Sequence, residues 1–190
     1  MKMGLFVLAL SISAAFASSI TYTISTSAGG SIGSTNFNDN TITFTQTSDT
    51  SLVTNCSPGV YCTPTSTSNT VTIGGIGTYT VTDSTFFVVN HGGPDLGFAD
   101  VSLGLNPLAE DDTAFGTYTL QTALGPIFDV ENDDRATGIN TTGGVLSFTG
   151  NSLDATFTAV VNSSVPEPGS LGLMLAGGIA ILSLRRKHRV

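Results

Sequence analysis

The feature that most constrains the fold of this chain is an alternation of threonine with larger side chains. In residues 41–47, TITFTQT, Ile42 and Phe44 take alternate positions and threonines take the others. Successive side chains of a β-strand point to opposite faces, so the pattern predicts a strand with one buried and one wet face. Similar alternation predicts strands at residues 20–25, 78–82, 117–122, 145–149 and 153–161.

Turn residues separate these predicted strands. Clusters of Gly, Asn, Asp and Pro lie at residues 29–30, 36–40, 74–75, 92–94, 125–126 and 143–144. The run TFFVVN at residues 85–90 is continuously apolar and predicts a strand covered on both faces, whereas residues 47–70 look looser. No stretch between residues 18 and 164 has a helical face. The sequence therefore predicts one all-β domain over residues 18–164, an antiparallel sandwich or jelly roll.

Charge is distributed unevenly along the chain. All fourteen acids lie between Asp39 and Glu167, where Arg135 is the only basic residue, so this stretch carries a formal charge of −13. Proteins bind nucleic acids through Lys and Arg side chains that displace counterions from the phosphates. The charge pattern therefore excludes nucleic acid and anionic lipid as partners of the interior, and it admits cations and neutral polymers.

The first nineteen residues, MKMGLFVLALSISAAFASS, have the three parts of a secretory signal peptide. Lys2 supplies the positive region, residues 4–14 form a short apolar core, and Ala15 and Ala17 form an A-x-A cleavage site ahead of Ser18. A hydrophobic first strand or an uncleaved anchor fits less well, because the apolar run is short for a bilayer. We expect signal peptidase to remove residues 1–17.

The last 26 residues, VPEPGSLGLMLAGGIAILSLRRKHRV, have the pattern of a membrane anchor. Residues 169–184 carry no charge and would cover about 24 Å as a helix, somewhat short of the roughly 30 Å hydrocarbon core. A buried core helix is the alternative, but no acids lie near its basic end. That end stays cytoplasmic by the positive-inside rule; its cations are Arg185, Arg186, Lys187 and Arg189. We predict an inner-membrane helix with the domain outside.

This C-terminal pattern resembles a known class. Val165, Pro166, Glu167 and Pro168, followed at once by the apolar span and the basic end, are similar to the PEP-CTERM sorting signal of bacterial exported proteins. The resemblance covers only residues 165–190, and His188 within the basic cluster is a mild departure. It implies that residues 166–168 are recognised by an exosortase, a membrane transpeptidase that cleaves nearby and releases or re-attaches the protein at the cell surface or in the extracellular matrix. The same tail carries an ice-binding C-terminal label, which describes no activity.

Two cysteines lie close together in this exported chain. Cys56 and Cys62 flank SPGVY, in which Pro58 and Gly59 indicate a turn. Exported proteins keep such pairs oxidised, and two sulfurs without further Cys or His nearby make a poor zinc site. The sequence predicts a small disulfide loop.

A second motif matches a catalytic pattern without its context. Gly29-Gly30-Ser31-Ile32-Gly33 fits G-x-S-x-G, in which a strand-turn-helix aims a serine at a histidine. No helix is predicted after Ser31, and His91 lies in a predicted loop. A turn is the preferred interpretation, and we expect no catalytic residues.

The acids form two clusters, residues 110–112 and residues 129–134. Loop carboxylates can bind Ca²⁺, and alternation would place several of the second cluster on one side of an extended segment. The candidates are Asp129, Glu131, Asp133 and Asp134. The spacing of an EF-hand is missing, so we favour a solvated loop and expect neither a metal nor another cofactor.

The Thr-x-Thr pairs suggest an ice-binding array, because regularly spaced threonines can order water. The pairs recur at irregular intervals along the chain, with no repeat period. Threonine is also a good strand residue for the wet face of a sheet. The sequence therefore favours an ordinary sheet surface.

Together these features predict an exported, exosortase-sorted envelope or matrix protein with a non-catalytic domain, structural or adhesive in role. The alternative is a carbohydrate-binding or carbohydrate-processing sandwich, in which the acidic loops bind Ca²⁺. Trp is absent, which weakens the case for an aromatic sugar cleft. Extracellular polysaccharide is a candidate partner under both hypotheses.

Overall fold

The computed structural model describes residues 18–65, 68–100, 105–130, 138–149 and 154–162. These residues form thirteen β-strands and two short 3₁₀ helices, Thr50–Leu52 and Thr113–Gly116. The strands, β1 to β13 in chain order, are Ser19–Ile32, Thr35–Asp49, Thr54–Ser57, Val60–Pro64, Ser68–Ile73, Gly77–Thr80, Thr85–Asn90, Asp95–Asp100, Leu105–Asp111, Leu124–Val130, Ile139–Thr141, Gly144–Thr149 and Asp154–Asn162. All pairings are antiparallel, so the predicted all-β class is confirmed.

The strands form two facing sheets. Sheet A has the order β10-β13-β1-β2-β5-β6, with β12 also paired to β1 and β11 paired to β12. Sheet B has the order β3-β4-β7-β8-β9. Aromatic rings from the two sheets meet between them: the centroids of Phe44 and Phe98 lie 4.5 Å apart, and those of Tyr22 and Phe87 lie 5.1 Å apart. This shared core makes the domain a sandwich.

Strand β1 organises sheet A. On one side it pairs with β2 from Ser19 to Ile32. On the other side its first eight residues pair with β13, and its last four pair with β12. Its inward positions are buried, and Tyr22 and Ile24 are fully buried. One long strand therefore holds three others in register.

The glycines at residues 29–30 do not form the predicted turn, because they lie inside β1. A Cβ on Gly30 would lie 2.2 Å from the carbonyl oxygen of Ser147 and 2.7 Å from Cζ of Phe37. The glycine thus permits close approach of neighbouring strands, beside a β-bulge in the β1–β2 pairing. The predicted turn at residues 36–40 is likewise wrong, because these residues belong to β2.

Sheet A curves until it nearly closes on itself. Val81, just after β6, forms a β-bridge with Thr141 of β11. The Asp83 carboxylate reinforces this junction, since it accepts hydrogen bonds from the backbone nitrogen of Asn140 at 2.6 Å and from its Nδ2 at 2.9 Å. Strands β1, β2, β5, β6, β11 and β12 therefore nearly complete a ring, which requires a curved sheet.

Residues 117–122 form an irregular segment instead of the predicted strand. The phenol of Tyr22 donates to the carbonyl of Leu120, and the phenol of Tyr118 donates to that of Thr122 at 2.9 Å. Burial raises the pKa of both tyrosines, so both phenols stay protonated as donors. Side-chain donors thus satisfy carbonyls that a strand would pair with a neighbour.

Two other local predictions also differ from the structure. Gly125 and Pro126, predicted as a turn, lie within β10 and are joined by a cis peptide bond. Strand β7 was expected to be covered on both faces, but only Thr85, Phe87 and Val89 are buried, while Phe86, Val88 and Asn90 are half-buried. An apolar run alone does not show how many faces of a strand are covered.

We predict that Gly30→Ala destabilises the domain, because the added methyl group would overlap the Ser147 carbonyl and the Phe37 ring. Overpacking of this kind costs about 1–3 kcal/mol in the free energy of unfolding. Urea denaturation measures the change. Gly93→Ala is the control, since no atom lies within 4 Å of a Cβ at that position; equal stability of the two variants would contradict the close approach.

Candidate functional site

The outer surface of sheet A carries a field of hydroxyl groups, which we call the hydroxyl face. Thirteen Ser and Thr side chains from five adjacent strands point away from the core and are partly or fully exposed. They are Thr156 and Thr158; Thr21, Thr23 and Ser25; Thr43, Thr45 and Thr47; Ser68, Thr70 and Thr72; Thr78 and Thr80. Acids stand at the margins of this array, at Asp49 beside Thr47 on β2 and at Asp154 beside Thr156 on β13.

Strand register aligns these hydroxyls in rows. One row crosses all five strands and consists of threonine alone: Thr158, Thr23, Thr45, Thr70 and Thr80. The next row is Thr156, Ser25, Thr43, Thr72 and Thr78. Members of a row lie about 4.8 Å apart, and rows lie roughly 6.7 Å apart. A regular two-dimensional array therefore exists.

Irregular intervals along the chain therefore do not exclude a regular array on the sheet. Intervals along the chain do not measure distances across an antiparallel sheet, where strand pairing sets the neighbours. The array also differs from a flat lattice, because sheet A curves toward closure at β6 and β11. Some neighbouring hydroxyls bond each other, as in Ser25 to Thr43 at 2.9 Å and Thr72 to Thr78 at 2.8 Å.

An exposed aromatic ring stands at the end of the second row. Phe128 of β10 is paired with Thr156 in register and is 72% exposed. Directly paired residues of neighbouring strands share a face, so this ring borders the hydroxyl face. Phe128 is not predictable as a surface residue from the sequence, since it follows a Gly-Pro pair that is typical of a turn.

A buried polar cluster ties the two sheets together on the side of β4 and β7. Gln46 of β2 donates to the carbonyl of Thr63 at 2.9 Å, and the hydroxyls of Ser48 and Thr63 lie 2.7 Å apart. Asn69 of β5 donates to the hydroxyl of Thr85 on β7. Its Oδ1 is buried and has no hydrogen-bond partner in the described part of the chain. These bonds hold β2 and β5 against sheet B from behind the hydroxyl face.

Ser31 and His91 lie in settings unlike those of a catalytic pair. Ser31 is part of β1 and pairs with Ser147 and Asn36. The chain turns after Ile32 directly into β2, with no helix following the serine. Nε2 of His91 lies 2.7 Å from the carbonyl oxygen of Tyr118. Because a carbonyl only accepts, this nitrogen is the donor in that contact.

The structure describes the acidic cluster at residues 110–112 but only the first part of the cluster at residues 129–134. Asp111 and Asp112 border an open groove of about 280 Å³, and Asp111 faces Asp95 across the β8–β9 pairing. Burial, followed by the charge of Asp111, raises the pKa of Asp95.

Within the described ranges no three His, Cys, Asp or Glu side chains are grouped to hold a metal. Of the Ca²⁺ candidates, Asp129 lies in β10, while Glu131, Asp133 and Asp134 lie outside the described residues.

The predicted disulfide is present. Cys56 of the exposed strand β3 is bonded to Cys62 of β4, with Cα atoms 6.0 Å apart. The two strands form a hairpin with its turn at Pro58 and Gly59. The bond therefore pins one edge of sheet B.

The predicted processing segments lie mostly outside the described residues. These include Ala15, Ala17, Val165, Pro166, Glu167, Pro168 and the basic end at Arg185, Arg186, Lys187 and Arg189. Ser18 is described, and its backbone nitrogen donates to Oγ1 of Thr50 at 3.3 Å. Across the ranges that the structure covers, no helix has the length and apolar character needed to cross a membrane.

Comparison with known families identifies the C-terminal segment. Residues 164–187 match the model of the PEP-CTERM protein-sorting motif. No curated protein and no solved structure matches the chain. The motif indicates an extracellular protein that is exported, sorted at the membrane and processed by an exosortase.

We predict that native protein shows no free thiol and that reduction exposes two. Replacing the pair with Cys56→Ser and Cys62→Ala should lower the free energy of unfolding by about 2 kcal/mol, since the closed loop is short. Thiol titration and urea denaturation measure these values. Thiols that react before reduction, or loss of the whole β-sheet signal in the variant, would contradict this role.

Proposed function

We propose that the β-domain is a non-catalytic adhesive module whose hydroxyl face binds neutral polysaccharide outside the cell. The observation that carries this proposal is an uncharged, regular array of thirteen hydroxyls on a protein with a strong negative charge. Anionic polymers are repelled by the acids elsewhere, whereas a neutral polymer meets a face that can both donate and accept hydrogen bonds.

The arrangement suits an extended polymer better than a small ligand. Each hydroxyl contributes only about 0.5–1.5 kcal/mol net, directly or through a bridging water. Many equivalent groups along one row add their contributions when a single chain lies across them. Exposed Phe128 at the end of a row offers an apolar surface to the face of a sugar ring.

Binding is favoured over catalysis by the state of the candidate catalytic groups. Ser31 is held within a strand, and Nε2 of His91 is engaged with the Tyr118 carbonyl. A structural or adhesive role also fits the sorting motif, since an exosortase substrate is delivered to the cell surface. Carbohydrate processing, the alternative, would have to use facing carboxylates such as Asp95 and Asp111, which belong to sheet B and not to the hydroxyl face of sheet A.

We predict that Thr23→Val, Thr45→Val and Thr70→Val together weaken polysaccharide binding without unfolding the protein. Valine has the shape and strand preference of threonine but lacks the hydroxyl. Three lost hydrogen bonds should weaken binding roughly tenfold or more. Affinity electrophoresis of the mature protein in a neutral glucan measures the loss, and Phe128→Ala should weaken binding in the same direction.

Thr54→Val is the control, because Thr54 lies on the exposed strand β3 of the other sheet. A polyuronate serves as the anionic comparison, which we expect wild type not to bind. Retention of the triple variant equal to that of wild type, or release of new reducing ends from the glucan, would contradict the proposal.

A further inference from the structure

The chain enters and leaves the domain at the same end of sheet A. Ser19, the first residue of β1, pairs with Asn162, the last residue of β13. The Asn162 side chain donates to Oγ of Ser19 at 3.4 Å and to Oγ1 of Thr21 at 3.1 Å. Ser19 is the second residue after the predicted signal-peptide cleavage site, and Asn162 lies two residues before the start of the family match, so the two processing segments adjoin the same end of the sheet.

The hydrogen bonds of the fold at this end extend to Ser18, the residue after the predicted cleavage site. The carbonyl of Ser18 accepts from the backbone nitrogen of Thr50 at 3.0 Å, and its own nitrogen donates to the Thr50 hydroxyl. Gln121 donates to the carbonyl of Thr50 at 3.3 Å. These bonds join β1, the first 3₁₀ helix and the segment before β10 into one surface.

Two exposed apolar side chains lie near this end: one follows Thr50 in the chain, and the other is paired with Thr21 on the outer face of sheet A. Leu52, two residues beyond Thr50, is 40% exposed, and Val160, two residues before Asn162, is 50% exposed. Asp49 is the single acid in the described run of residues 48–53. We call the surface of Ser18, Thr50, Leu52, Val160 and Asn162 the processing end.

The sorting motif begins almost where the sheet stops. The family match starts at residue 164, two residues after the end of β13. Pro166 is four residues beyond Asn162, and four extended residues reach at most about 14 Å. Pro168, six residues beyond Asn162, can lie at most about 22 Å away, so an exosortase that holds residues 166–168 must work within that distance of the folded sheet end.

We propose that the exosortase docks on the processing end while it binds the motif, so that the folded domain is part of what the enzyme recognises. This inference rests on the sorting function assigned to residues 164–187. Leu52 and Val160 supply apolar contacts beside the motif, and the short spacer fixes their distance from the scissile segment. Recognition then depends on both the peptide and the surface from which it emerges.

The test compares two exposed valines at opposite ends of β1. Val145 of β12 is 46% exposed, close to the value for Val160, and its carbonyl accepts from the nitrogen of Gly33 just beyond β1. Val160 is paired with Thr21, so about twelve residues of β1, or roughly 40 Å, separate the two positions. The full chain is expressed with its exosortase, and the rate at which the mature mass appears is followed after a pulse of synthesis.

Leu52→Glu with Val160→Glu should slow processing roughly tenfold, as expected for the loss of two apolar contacts, while Val145→Glu should process like wild type. A Gly/Ser spacer of about twelve residues after Ser163, with an r.m.s. reach of about 19 Å, should slow processing as well. Melting temperatures of the mature variants show that the fold is intact.

Three results would overturn the docking proposal: processing of the double variant at the wild-type rate, faster processing with the spacer, or vesicle binding by the mature protein that the double variant loses. Faster processing would mean that the domain only obstructs the enzyme. Vesicle binding, measured with phosphatidylethanolamine and phosphatidylglycerol, would assign the surface to lipid.

Replacing residues 166–168 with Ala separately tests the premise that an exosortase sorts this protein. An unchanged mature mass in that variant would contradict the premise.

Discussion

The pairing of β1 with β2, β13 and β12 is the interaction on which the rest of the structure depends. Its inward side chains, including Tyr22 and Ile24, form part of the aromatic core with sheet B. Its outward side chains form the middle of the hydroxyl face. Its first residue lies beside the last residue of β13, and its far end helps to complete the near-closed ring. Core, face and chain ends are therefore set by one strand and its register.

The same register explains how a neutral surface exists on an acidic protein. Charged residues of the described chain lie mainly at strand ends and in turns, such as Asp83 after β6 and Asp112 before the second 3₁₀ helix. Asp112 caps the second 3₁₀ helix, because its carboxylate accepts a hydrogen bond from the backbone nitrogen of Ala114 at 2.6 Å. The middle of sheet A is thus left to uncharged hydroxyls, while the acids keep the protein soluble and repel anionic polymers.

Period-two alternation predicted the all-β class and most strands correctly, because it reflects burial on one face. Longer-range effects were not predictable. Gly30 resembles a turn residue in sequence, and only the approach of Ser147 and Phe37 shows why a strand needs it. Residues 117–122 alternate like a strand, but Tyr22, distant in sequence, takes up a carbonyl there. The hydroxyl face escaped prediction for the same reason, since Thr23, Thr45, Thr70 and Thr158 become neighbours only through pairing.

The measurement that tests the central claim most directly is the register around Thr23 in solution. Backbone NOEs in an isotopically labelled sample of the mature protein should connect Thr23 to Thr45 on one side and to Thr158 on the other. Because a slip of one residue would turn every side chain of a strand to the opposite face, the NOE pattern is decisive. Connections from Thr23 to Phe44 or Phe157 as its paired residue would contradict both the hydroxyl face and the shared end.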